Sequence, residues 1–192
     1  MRAVIAIILA AIMVGGCAGD SGGISESALS TVVLQPADLP KPFQQFDEGR
    51  LGVAETTGSL RTDPVRFSRL DGWKARYRRP GTVATPGPLV IESRADLFEA
   101  DEGAAQDFDA YRKELEQAVQ ATRGRLLASP ELGSEAVAMT FREDRVRFFR
   151  IAWRHANVTA LLFVNGFDQR LELPDVLELA RKQQRRLEAA AS

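Results

Sequence analysis

RVRFFRIAWRHANVTALLFVNGF, residues 145–167, is the stretch on which the fold turns. Two runs rich in aromatic and β-branched residues flank the short polar sequence Arg154-His155-Ala156-Asn157. Such runs on either side of a tight turn read as a β-hairpin. Alternate side chains of a strand point to opposite faces. A two-residue turn therefore puts Phe149, Ile151, Trp153, Val158, Ala160, Leu162 and Val164 on one face, taken as core. The other face carries Phe148, Leu161 and Phe163 beside Arg150 and Arg154. A sheet apolar on one side and half apolar on the other requires a second cover. The N-terminal stretch STVVLQPADLPKPF, residues 30–43, is the expected cover; a ligand or a partner protein is the alternative. Phe148, Arg150, Arg154, Leu161 and Phe163 are accordingly the candidate ligand or partner surface.

Upstream of the hairpin, Val137, Met139 and Phe141 alternate as a strand. Ala104, Phe108, Tyr111, Leu115 and Ala118 recur at steps of four and three, one stripe of a helix. Asp101 or a neighbour is expected to cap that helix and Gly124 to stop it. Asp107, Asp109, Glu114 and Glu116 miss the apolar stripe and read as its solvated side. Earlier still, Leu89, Ile91, Ser93 and Ala95 alternate as a strand after the Pro/Gly-rich loop Pro80–Pro88. Trp73, Ala75 and Tyr77 alternate with Lys74, Arg76 and Arg78, a strand with one wet, basic face. Gly52–Leu60 is an expected edge strand. Downstream, Leu173-Pro174-Asp175 opens a second helix, proline fitting its first turn. Its Val176, Leu177, Ala180 and Leu187 face inward, and Arg181, Lys182, Arg185 and Arg186 outward. Strands joined by tight turns, with only two helices, make an α+β fold: an antiparallel sheet of about five to seven strands with two main helices packed on it.

The other informative stretch lies at the start. Ala3–Val14 is uncharged and follows Met1-Arg2. As a helix it rises only about 18 Å, short of a ~30 Å hydrocarbon core, so it reads as a signal peptide and not a membrane span. Val14-Gly15-Gly16-Cys17, holding the only cysteine of the chain, resembles the lipobox of bacterial lipoproteins. That resemblance implies cleavage after Gly16 and a diacylglyceryl thioether on Cys17, two acyl chains being enough for stable anchoring. The organisation expected is a signal peptide over 1–16, a Gly/Ser-rich flexible tether over 17–29 and a single α+β domain over 30–192. LQPADLPKPF, the hairpin and the tail from Leu179 to Leu187 resemble secreted lipoproteins of actinobacterial type. Those often carry Arg-x-Gly-Asn-Val at the hairpin turn, where this chain has Arg154-His155-Ala156-Asn157-Val158. The order of elements also resembles the Mog1/PsbP-like fold, a likeness that carries over no functional residue.

Chemistry-bearing patterns are scarce. The 192 residues hold 25 basic and 26 acidic side chains, net −1, so no strong field for nucleic acid follows. One cysteine excludes an internal disulfide. His155 is the only histidine and falls in the expected turn, where a solvent-facing role is the plain reading. No Gly-x-Ser-x-Gly elbow, phosphate loop or dinucleotide fingerprint occurs. Metal sites draw on Cys and His clusters, which are missing. No catalytic residue, metal or cofactor is assigned. Two arginine series run through Arg61–Arg79 and Arg142–Arg154, and Arg76, Arg78 and Arg147 form a candidate patch for anionic groups. The expected partners are the membrane, through the lipid anchor, and an unidentified ligand or envelope protein. A non-catalytic envelope lipoprotein that binds a small molecule, lipid or envelope polymer fits best; an assembly module and, last, a hydrolase are the alternatives.

Overall fold

The computed structural model describes residues 22–52 and 67–191. Cys17 and all but Gly52 of the expected strand Gly52–Leu60 lie outside the described residues. A short 3-10 helix (Glu26–Thr31) and a 3-10 turn (Pro36–Asp38) lead into β1 (Gln44–Arg50), β2 (Arg69–Arg78) and β3 (Val90–Phe98). Helix α1 (Asp101–Thr122) follows, then β4 (Arg125–Leu126), β5 (Glu135–Glu143), β6 (Val146–His155), β7 (Val158–Phe167) and α2 (Leu173–Ala190). These strands form one sheet in the order β1-β2-β3-β7-β6-β5-β4, every neighbouring pair antiparallel. The fold is α+β, as the alternation of strands and the two amphipathic stripes require.

The β6–β7 hairpin closes at His155↔Val158 around Ala156-Asn157, and β7 then pairs with β3, which puts the hairpin inside the sheet. Ala156 holds φ at 47°, the left-handed region. Trp153, Ile151, Phe149, Val158, Ala160, Leu162 and Val164 all join one buried cluster with α2 and the N-terminal segment. His155 is the last strand residue and not a turn residue. It is half-buried, its Nδ1 3.3 Å from Gln184 Nε2 on α2, because the strand runs two residues further than the polar run suggests.

The second face is covered only in part, and not by residues 30–43. Val32, Val33 and Leu34 are buried on the same face as α2. Tyr77 donates its hydroxyl to the Leu34 carbonyl at 2.7 Å, and the Leu34 N–H donates to Ser93 Oγ at 2.9 Å. Tyr77 and Ser93 both point to that face, so they fix the segment there. Ser93 in turn donates to Gln183 Oε1 of α2 at 2.8 Å, which leaves the sheet, segment and helix sharing one buried polar tie. Ile24 and Leu29, inside the stretch read as tether, are core residues too.

Helix α1 covers part of the opposite face. Its Phe108, Tyr111 and Leu115 bury Val137, Met139, Ala152 and Leu161. The first residue of α1 is Asp101 itself, after Ala100 as N-cap, so Asp101 does not cap it. The helix ends with Arg123 at φ 52°, one residue before Gly124, whose N–H bonds the Val119 carbonyl at 3.0 Å. Asp107 is fully buried, against the solvated position expected of it. It falls one residue before Phe108, on the flank of the stripe that lies against the sheet. In α2, Pro174 occupies the first turn, and Glu172 and Asp175 form a reciprocal capping box.

Candidate functional groove

Because α1 spans only part of its face, the neighbouring part of the sheet, toward the start of β6, is left bare. The strand register brings Arg76, Glu92, Phe163 and Arg150 side by side across β2, β3, β7 and β6. The next row outward holds Arg78, Val90, Asn165 and Phe148. Together with Lys74, most of these residues line a groove of about 430 Å³, inside the range of small-molecule sites, about 300–1,000 Å³. The groove is half apolar, from Phe148, Phe163 and Val90, and half charged.

Its cations are held in two ways. Lys74 Nζ and Arg76 Nη1 lie 3.2 and 3.5 Å from the same Asp47 carboxylate oxygen, and Arg76 Nε lies 3.1 Å from Glu92 Oε2. That last contact is an ion pair outside hydrogen-bonding geometry, so the buried Arg76 Nε–H has no acceptor among the described residues. Arg150 has no carboxylate partner among the described residues. Its guanidinium instead lies 5.4 Å from the Phe141 ring centroid and 5.6 Å from that of Phe163. Phe141 is stacked on Phe148 at 4.7 Å with the rings 5° from parallel, which makes a rigid aromatic shelf beside the cation.

Of the candidate surface residues, the structure therefore unites Phe148, Arg150 and Phe163 and adds Arg76 from the candidate patch. Leu161 is buried beneath α1. Arg154 shares the face of Arg150 but lies about 13 Å further along the strand, on the far side of α1. It pairs with Glu135 at 3.3 Å. Arg78 sits at the rim, 5.1 Å from the centroid of Phe46, which also carries Arg76 at 5.0 Å. Arg147 is on the opposite face, having the parity of Phe149, and pairs with Asp168 at 2.8 Å.

A second charged group was not legible in the sequence. Arg69, Arg94 and Asp96 are all buried. Asp96 accepts from Arg69 Nε at 2.8 Å and from Arg94 Nε at 2.8 Å, while Arg69 also donates to the carbonyls of Leu51 and Gly52 at 2.9 Å. A Cβ on Gly72 would come within 2.2 Å of Arg69 Nη2, so the glycine makes room for the pair. Buried charges persist where they are paired and hydrogen-bonded. Here they tie the end of β1 to β2 and β3 and support the sheet under α1. The one available signal is parity: Arg94 and Asp96 alternate with core-facing Ser93 and Ala95.

A second cavity, of about 420 Å³, runs between the Pro36–Asp38 turn and α2, but its charges serve the fold. Arg186 holds Asp38 at 2.7 Å, and Lys182 holds Glu178 at 3.1 Å. Among the described residues no cluster of metal-ligating side chains occurs, and no helix is long and apolar enough to cross a membrane.

The fold has a solved counterpart. The chain is similar to the extracellular domain of PknH from Mycobacterium tuberculosis, with a TM-score of 0.64 over 87% of this chain and 98% of that one. The sequences share 12% identity, so the likeness is one of fold. No protein-family model and no curated protein matches the sequence.

Proposed function

We propose that this chain is an extracytoplasmic lipoprotein, anchored through Cys17, whose folded part binds a ligand and carries no catalytic centre. The observation that carries the binding half is the bare groove beside α1. The other cations of the groove are engaged with acids, Lys74 and Arg76 with Asp47 and Arg76 with Glu92, whereas Arg150 faces the open cavity with no ion pair among the described residues. A small molecule, a lipid or a segment of envelope polymer suits a half-apolar, half-cationic groove of this size. The extracellular setting of the similar PknH domain and the lipobox-like Val14-Gly15-Gly16-Cys17 support the location.

The anchor is tested by labelling cells with radioactive palmitate and separating membrane from soluble fractions. The native chain is expected to take up label and sediment with membranes. The Cys17→Ser chain is expected to take up none and to leave that fraction. Label retained by the serine variant, or unchanged sedimentation, overturns the lipoprotein reading while leaving the groove untouched.

A further inference from the structure

We propose that the groove takes a small amphipathic anion, a carboxylate or phosphate joined to an apolar body. Arg150 and Arg76 hold the acidic head, and Phe148, Phe163 and Val90 receive the rest. The inference rests on the reading of the groove as a binding site and is independent of the lipid anchor.

Charge comes first. Lys74, Arg76 and Arg150 line the groove against the single acid Glu92, on a chain whose net charge is −1. Lys74 and Arg76 already share Asp47, and Glu92 is committed to Arg76. Arg150 is the cation left over. The two aromatic rings stabilise its charge through their faces, and a ring face is only a weak acceptor for an N–H. The planar fork of donors is thus held in place and still in need of oxygen acceptors, which a carboxylate or phosphate supplies in pairs. Arg76 adds a second guanidinium from across β3 and β7, its Nε 3.1 Å from Glu92 Oε2.

The apolar wall narrows the class further. Phe148 is pinned by its stack on Phe141, and Phe163 stands beside Arg150 in register. A bare inorganic anion would leave these rings wet, and a neutral apolar molecule would leave Arg150 without an acceptor. A ligand with both parts satisfies both.

The test uses the full chain carrying Cys17→Ser, so that no acyl group competes. The reporter is anilinonaphthalene sulfonate, an anion on a flat apolar body. Octanoate and octyl phosphate are expected to displace the dye; octanol and inorganic phosphate at the same concentration are not. Arg150→Gln is expected to weaken dye binding about tenfold or more, the scale of losing a charge-assisted hydrogen bond. Glu92→Gln is expected to tighten it severalfold by removing the acid that lines the groove and freeing Arg76 Nε. Arg112→Gln, on another cation that lies over a ring but away from the groove, is expected to change nothing.

Displacement by octanol as strong as by octanoate overturns the proposal, and so does displacement by inorganic phosphate alone. Native affinity in a folded Arg150→Gln chain also overturns it. Should that variant fail to fold, Glu92→Gln decides, and affinity no tighter than native overturns it. Binding of none of these probes removes the binding-site reading itself, a result distinct from binding that ignores charge.

Discussion

Ala156 occupies a position where a side chain is a cost. At φ 47° it lies in the left-handed region, which strains an L-residue by about 1–2 kcal/mol and glycine hardly at all. Ala156→Gly is expected to stabilise the protein by about 1 kcal/mol, a rise in melting temperature of about 2–4 °C for a domain of this size. Differential scanning fluorimetry checks it; an unchanged or lower midpoint means the strain is relieved elsewhere in the turn. The residue after it was legible only as turn material. Asn157 is in fact a buried connector, and nothing in a polar turn sequence distinguishes an amide that faces water from one that faces backbone 133 residues away.

That connector matters at the level of elements. Asn157 Oδ1 accepts the Ile24 N–H at 2.8 Å, and its Nδ2 donates to the carbonyls of Ile24 at 3.2 Å and Phe98 at 3.0 Å. One side chain thereby ties the N-terminal segment and β3 to the hairpin. Asn157→Ala leaves those buried groups unsatisfied at about 1–3 kcal/mol each where no water reaches them. The expected total loss is about 2–3 kcal/mol by chemical denaturation. Hydrogen exchange should show the Ile24 amide deprotected while the central β6–β7 ladder keeps its protection; equal loss in both would mean that segment and sheet open as one unit. Periodicity revealed β2, β3, β5, the β6–β7 hairpin and both helices because it is a local property, whereas β1 and the two-residue β4 carry no such alternation and were not legible. Which face each helix covers was not local. The stripe of α1 and the apolar run Val32–Leu34 were equally suitable covers, and the choice was made by Tyr77 and Ser93, whose partners only the assembled sheet reveals. Parity alone would have excluded Arg147 from the face of Arg150, but uniting Arg76 with Phe163 needed the strand order as well.

For the molecule as a whole, acid tests the join between the N-terminal turn and α2. Burial pushes the Asp38 carboxyl up, but the Arg186 hydrogen bond, the Gln35 N–H and the charges of Arg186 and Lys182 outweigh it, and the group ends below its ordinary 3.8. A carboxyl depressed by folding stabilises the native state fully above the unfolded value. That contribution is lost as pH falls through the lower, folded one. Asp38→Asn is therefore expected to be less stable than the native chain near neutrality, with the gap closing from about pH 4 downward. Melting temperatures at a series of pH values read this directly; a gap that stays constant would show that Asp38 acts by shape and not by charge.

Gly22 and Ala191 approach so closely that a Cβ on the glycine would stand 2.4 Å from the Ala191 carbonyl oxygen. Both ends of the folded body thus leave from one pole, next to the Ala156-Asn157 turn. Arg150 lies six residues back along β6, about 20 Å toward the other pole. The groove thus sits near the pole opposite the meeting of Gly22 and Ala191, so a ligand held by Arg150 would be carried away from both ends of the described body.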